Sequence, residues 1–173
     1  MAKGTALVDI QKAQYTLLGV DGVSRARHAS VNGLFQLAEG NVLILTGTAD
    51  GPLRLTVETS SEAPPVEVEG WDDVVEVSQR SDTRRSATGE IAVAPLFDGP
   101  VEGLPQLTLP SGSAIRIRIH ARGRDEAAKY WGVEEPIEEH LLQMWPAPEA
   151  DDVCHRLSDK YGEISRAQWS ARQ

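Results

Sequence analysis

The sequence predicts a mostly-β fold, an antiparallel two-sheet sandwich of the jelly-roll kind with a short C-terminal helical tail. Turn-forming dipeptides that tolerate positive φ recur along the first two-thirds of the chain. They are Asp21-Gly22, Asn32-Gly33, Asp50-Gly51 and Asp98-Gly99. Between them, short runs alternate apolar and polar residues, as strands do when one face is buried. Residues 115–124 extend this pattern by alternating isoleucine, alanine or glycine with basic residues.

The elements follow from these runs in chain order. Residues 34–38 and 42–47 indicate a hairpin around Glu39-Gly40-Asn41, and residues 53–58 alternate cleanly between apolar and polar side chains. The predicted strands are residues 5–11, 14–18, 34–38, 42–47, 53–58, 74–78, 89–94 and 114–121.

The last part of the chain is harder to assign. Residues 138–145 fit a strand or a helix, and Pro146 favours a closing strand because it disfavours helical geometry in the residue before it. The alternative is a helix that starts behind Pro136. Residues 151–161 predict a helix, since apolar side chains recur there every four residues. We therefore predict a β-sandwich domain over residues 1–146, and a linker with a helical tail over 147–173.

Composition restricts the function classes. The 173 residues carry a net charge of −9, which argues against general binding to nucleic acid or to an anionic membrane and is compatible with a basic partner. A single cysteine, Cys154, excludes an intramolecular disulfide and a cysteine-rich zinc site. The N-terminus lacks a secretory pattern and no apolar run is long enough to span a membrane, so we expect a cytoplasmic protein.

Three segments carry a resemblance to known proteins: WDDVVEVS at residues 71–78, IHARGRD at 119–125 and EHLLQMWP at 139–146. Over residues 40–146 the chain resembles a group of small acidic actinobacterial β-sandwich proteins. The third segment is also distantly similar to the competence-associated nuclease-inhibitor family, which is β-rich and lacks catalysis. The resemblance implies a β-sandwich and a protein-binding role, and it transfers no binding residue to this chain.

The basic stripe is the first candidate site. On an extended strand the basic side chains share one face, which we expect to be solvated, and the isoleucines bury the other. Its arginines could hold an anionic ligand on the sheet; they are Arg116, Arg118, Arg122 and Arg124. The structural alternative is pairing with acids of neighbouring strands, for which the candidates are Glu58, Glu67, Glu69 and Glu76.

The second candidate is an acidic stretch, residues 134–152, which holds seven carboxylates and no lysine or arginine. It could occupy the basic groove of a partner enzyme, or it could be a solvated charged loop. The predicted partner-binding residues are Glu134, Glu135, Glu138 and Glu139, with Trp131 or Trp145 as an apolar anchor.

The histidines suggest a third and weaker possibility. His28, His120, His140 and His155 lack a metal-binding spacing, but His120 and His140 would meet if their strands pair. No phosphate loop, nucleophile elbow or dinucleotide fingerprint is present, and we expect no cofactor and no resident metal.

The sequence therefore favours a non-catalytic protein-binding module, in one form an immunity or inhibitor protein that presents an acidic surface to a basic partner. The alternatives are a module that binds an anionic small molecule on its arginine face, and a metal-assisted enzyme with a dispersed site.

Overall fold

The computed structural model describes residues 1–22, 32–38 and 41–170, and these form a mostly-β fold with a helix at the C-terminal end. The strands are β1 (Ala2–Gln11), β2 (Gln14–Leu18), β3 (Phe35–Ala38), β4 (Asn41–Leu45), β5 (Asp50–Thr59), β6 (Asp73–Arg80), β7 (Ala92–Pro95), β8 (Ala114–Arg122), β9 (Glu139–Pro146) and β10 (Val153–Leu157). The helices are a single 3-10 turn (Thr83–Arg85), α1 (Arg124–Ala127) and α2 (Lys160–Ser170).

All ten strands belong to one curled sheet, in the order β10-β6-β8-β9-β5-β1-β2-β4-β3, with β7 also paired to β2. The prediction of two separate sheets is wrong, because β1 and β2 join the two parts of the ladder. They share the single paired position Gln11↔Gln14, so the sheet turns a corner there. An alternating sequence pattern indicates which face of each strand is buried. It does not show whether the strands form one continuous curled sheet or two separate sheets.

The sheet is also mixed rather than purely antiparallel. Residues 139–146 form a strand, as predicted, but β9 lies inside the sheet between β8 and β5 and does not close it. It pairs parallel to β5, from Arg54↔Glu139 to Thr59↔Met144, and antiparallel to β8. The parallel pairing requires a long connection between the two strands, and the chain forms β6, β7, β8 and α1 between β5 and β9.

The hydrophobic core lies on the inner face of the curled sheet. Ile115, Ile117 and Ile119 of β8 are completely buried there, as the alternating pattern predicts. Leu53, Leu55 and Val57 of β5 are buried in the same cluster.

The segment after Pro146 is part of the same fold. The helix predicted over residues 151–161 is wrong for residues 153–157, which form β10 and pair antiparallel with β6. Val153 and Leu157 remain partly exposed, at 40% and 36%, so their spacing of four does not mark a buried helix face. The helix begins later, at Lys160. Neither helix in the described part of the chain is long and apolar enough to span a membrane.

Candidate functional site

The arginine face of β8 is buried, contrary to the predicted solvated face. Arg116 and Arg118 are 4% and 3% exposed. Each donates through Nε to one oxygen of Glu76 on the neighbouring strand β6, both at 2.9 Å. Burial opposes ionisation of Glu76, but hydrogen bonds from Arg116, His155 and Arg118 outweigh it, so the pKa of this carboxyl is lowered. Of the acids predicted to pair with the stripe, Glu76 therefore does so.

Two connecting segments cover this face, which is why it is not solvated. Arg118 Nη1 donates to the carbonyls of residues 64–65, at 3.0 and 3.2 Å. Arg116 Nη1 donates in the same way to the carbonyls of residues 150–151, at 2.9 and 3.0 Å. A guanidinium has five donors and can satisfy a carboxylate and several carbonyls at once. Cationic side chains therefore hold irregular chain segments against the sheet.

Arg124 does not continue the stripe. Gly123 has φ +83°, and it turns the chain out of β8 into α1. The Arg124 side chain is fully buried and donates to Asp73 Oδ2 at 2.7 Å and, through two nitrogens, to Asp159 at 2.5 and 2.9 Å. Its remaining Nη1 donates to the Gly33 carbonyl at 2.8 Å. This cluster joins β6, the start of α2 and the segment before β3.

Each arginine proposed for an anionic ligand thus already has a carboxylate partner. Arg122 is the most exposed of the four and pairs with Glu139 at 2.6 Å, while it stacks on Trp71 at 4.9 Å. An anion on this face would have to compete with the carboxylates that hold the arginines.

A second buried polar network lies on the inner face. Glu138 is 1% exposed, and its carboxylate accepts hydrogen bonds from the backbone N–H groups of Gly47 and Thr48, the Thr48 hydroxyl and His140 Nε2. His140 Nδ1 lies 3.0 Å from the Tyr15 hydroxyl. A neutral His140 protonated on Nε2 satisfies every contact, since it donates to Glu138 and accepts from Tyr15.

The pKa values of Glu138 and Tyr15 are both shifted in this network. Burial opposes the charge on Glu138, but the hydrogen bond from His140 and the Thr48 donors outweigh it and lower the pKa of the carboxyl. Burial and the nearby Glu138 charge raise the pKa of Tyr15 well above its usual value. The tyrosine stays protonated and the glutamate ionised. Since all three side chains are buried away from solvent, the network holds the fold together rather than meeting a substrate.

His120 and His140 do not meet, although their strands pair. In the β8–β9 register His120 lies opposite Leu141, and His140 lies opposite Ala121, so the two rings project to opposite faces of the sheet. The described ranges contain no group of three or more His, Cys, Asp or Glu side chains arranged to hold a metal. His28 lies outside the described residues.

The acidic stretch divides into buried and exposed parts. Glu138 and Trp145 are 1% and 3% exposed, so in this structure neither can contact a partner. Glu138 is committed to Thr48 and His140, and Trp145 lies beneath the Arg118 guanidinium, 5.0 Å from its ring centre. The side chains that remain at the surface are Glu134, Glu135, the half-buried Glu139 and Trp131.

Trp131 lies on a well-anchored loop, residues 128–137, which we call the display loop. The N–H of Val133 donates to the Asp50 carbonyl at 3.0 Å. A side chain at Gly51, which has φ +115°, would meet the Val133 carbonyl at 2.2 Å, so only glycine permits this close approach. Glu138 fixes the C-terminal end of the loop through its buried carboxylate. Trp131 is nevertheless 94% exposed.

The exposed aromatic side chains share one end of the sheet, which we call the aromatic end. Where side chains are described, the exposed aromatic residues are Phe97 (74%), Tyr130 (48%) and Trp131 (94%). Phe97 follows β7, which pairs with the start of β2 at Tyr15↔Pro95. The side chain of Trp169, the fourth tryptophan, lies outside the described part. Aromatic surface is thus concentrated where the display loop projects.

Sequence reasoning missed several residues of these networks. Asp73 and Asp159 were not linked to Arg124, and Tyr15 was not linked to His140. Phe97 had no sequence signal except the Asp98-Gly99 turn that follows it. In these missed pairs the partners are 35 or more positions apart along the chain, so local patterns could not reveal them.

Comparison with known proteins finds distant structural likenesses. No protein-family profile and no curated protein sequence matches the chain. One similar solved structure is described as "Crocagin biosynthetic gene J", with 16% identity, TM-score 0.47, and coverage of 86% of this chain and 100% of that one. A second is ComJ of Bacillus subtilis, described as an inhibitor of the DNA-degrading activity of NucA, with 9% identity, TM-score 0.49, and coverage of 83% and 95%. Neither likeness assigns a site residue or a function to this chain.

Proposed function

We propose that this protein is a non-catalytic, cytoplasmic protein-binding module that presents the display loop to a basic partner protein. The observation that supports it is the 94% exposure of Trp131 on an anchored loop, beside the exposed carboxylates of Glu134 and Glu135. Large aromatic side chains are usually buried, and tryptophan is enriched among the residues that dominate binding energy at interfaces.

The anchoring of the loop favours binding. A partner that binds a preorganised loop does not have to order it, so less of the interaction energy is lost on association. The Val133–Asp50 hydrogen bond and the buried Glu138 carboxylate supply this order before any partner arrives. Trp131 is therefore the apolar anchor, in preference to the buried Trp145.

Charge determines the kind of partner. The display loop carries Glu134 and Glu135 at its surface, and the whole chain has a net charge of −9. Acidic surfaces accelerate encounter with basic ones and disfavour acidic ones. In its most specific form the proposal is an immunity or inhibitor protein, whose acidic surface occupies the basic groove of a partner enzyme.

The test is capture of partners from a lysate of the source organism, followed by kinetics with the purified basic protein. Wild type is compared with Glu134→Lys/Glu135→Lys and with a matched control, Glu62→Lys/Glu102→Lys, whose two positions are exposed outside the display loop. We expect the first pair to slow association about tenfold at low salt, the control pair to do much less, and the difference to shrink near 1 M salt. Equal association by both pairs would contradict the assigned surface.

A further inference from the structure

We propose that the partner-binding surface extends beyond the display loop and has a second aromatic anchor, Phe97, so that one basic protein contacts both Phe97 and Trp131. This inference rests on the proposed function and adds the extent of the surface and the shape of its partner. The partner would offer two apolar pockets separated by cationic groups.

Phe97 is both exposed and held in place. Its ring is 74% accessible, yet Lys12 Nζ lies 5.3 Å from the ring centre. Lys12 and Ala13 form the tight β1–β2 turn, where both residues have positive φ, at 56° and 57°. A cation over the face of an aromatic ring attracts it electrostatically, which favours one ring position. The β1–β2 turn thus contacts Phe97 through Lys12 and leaves most of the phenylalanine exposed.

Backbone hydrogen bonds connect the display loop to the β1–β2 turn, and the Lys12 side chain of that turn contacts Phe97. The N–H of Ala13 donates to the Ala49 carbonyl at 3.0 Å, and the next residue, Asp50, accepts from Val133 at 3.0 Å. The β1–β2 turn, residues 49–50 and the display loop therefore lie side by side. A partner bound to Trp131 and extending across residues 49–50 reaches the β1–β2 turn, whose Lys12 contacts the Phe97 ring.

The area required for stable binding also favours an extended surface. A specific interface buries about 800 Å² on each partner, whereas a single aromatic side chain supplies about 150–250 Å². Trp131 alone falls well short of that area. Phe97 and Tyr130 lie at the same end of the sheet and are the other exposed aromatic side chains where side chains are described.

The charges on this surface agree with a basic partner. Four carboxylate side chains are exposed across it, those of Asp50, Asp98, Glu134 and Glu135. Lys12 lies over the Phe97 ring, and Lys129 pairs with Glu126 at 2.5 Å. The surface therefore presents aromatic groups among carboxylates, the complement of apolar pockets among lysines and arginines.

Site-specific photo-crosslinking tests the inference even while the partner is unidentified. p-Benzoylphenylalanine is introduced separately at Phe97, at Trp131 and, as a control, at Val66, which is 48% exposed and follows the segment that Arg118 holds on the arginine face. Each full-length protein is irradiated in lysate of the source organism, and its adducts are identified by mass spectrometry. We expect the same basic protein to be crosslinked from positions 97 and 131, and not from position 66.

The outcomes separate the two proposals. An adduct from position 131 alone would overturn the extended surface and leave the proposed function in place. Absence of a specific adduct from either position would overturn both. For the identified protein, Phe97→Ala should weaken affinity by about 5- to 30-fold, the range of an interface anchor. Unchanged affinity of Phe97→Ala, with the fold intact by circular dichroism, would also contradict the second anchor.

Discussion

At the scale of single residues, His120 was a candidate for a metal site in the sequence, but its side chain is buried in the structure. The ring is 1% exposed beneath Trp71, whose ring centre is 5.4 Å away. Its Nε2 has no hydrogen-bond partner in the part of the chain that the structure describes. Burial lowers the pKa of His120 to about 4. At neutral pH the buried ring is therefore uncharged, and it packs against Trp71.

This burial predicts a dependence of stability on pH. The pKa of His120 is about 4 in the folded protein, against about 6.5 in an unfolded chain. Between these values the unfolded state binds a proton that the folded state does not, so stability is lost as the pH falls through that window. The loss from this group is about 2 kcal/mol at pH ~5. In urea titrations at several pH values, His120→Gln should lose less stability than wild type below neutral pH, and parallel curves would refute the assignment.

Glu138 shows what a charge count cannot reveal. It stands in an acidic stretch and was predicted to lie at a binding surface, yet its carboxylate is buried against Thr48, 90 positions earlier in the sequence. Glu134 and Glu135 belong to the same acidic stretch, and their side chains are exposed. Whether a glutamate of this stretch is buried or exposed depends on partners that lie far away in the sequence. A single sequence does not identify those partners.

At the scale of elements, β8 illustrates both the success and the limit of periodicity. Alternation correctly assigns Ile115, Ile117 and Ile119 to the core, because a strand must place successive side chains on opposite faces. The solvated arginine face was wrong, because connecting segments cross it and supply carbonyl acceptors. Likewise residues 153–157 were predicted to be helical, but they form β10. Their pairing with β6 is a tertiary contact that local spacing does not encode.

The connection between β8 and α2 predicts a large difference between two neighbouring arginines. Arg124 is fully buried with Asp73 and Asp159, whereas Arg122 pairs with Glu139 at an exposed site. Arg124→Met removes the cation that binds both buried carboxylates and leaves only Arg166 Nη1, 3.9 Å from Asp73, so it should cost about 3–5 kcal/mol of unfolding free energy. Arg122→Met should cost about 1 kcal/mol or less. Chemical denaturation measures both, and equal losses would show that the buried cluster does not hold α2 and β6 together.

At the scale of the whole molecule, the polar networks that stabilise the fold are buried, whereas the residues proposed to bind a partner are exposed. The ion pairs of Arg116 and Arg118 with Glu76 are buried, and so is the Tyr15–His140–Glu138 network. The exposed aromatic rings, where side chains are described, share one end of the sheet. The sequence predicted the mostly-β class, the C-terminal helix and Trp131 as a candidate anchor. It did not predict that the sheet continues around a corner at Gln11 and Gln14, which brings Phe97 and the display loop to the same end.

The most direct test is a calorimetric titration of the captured basic protein into wild type, Trp131→Ala and the control Val66→Ala. Trp131 is 94% exposed, so its replacement should leave the free energy of unfolding nearly unchanged. We expect Trp131→Ala to weaken affinity at least about 30-fold, as truncation of a dominant interface residue does, and Val66→Ala to match wild type. Wild-type affinity in the Trp131→Ala protein would contradict the display of this loop as a binding surface.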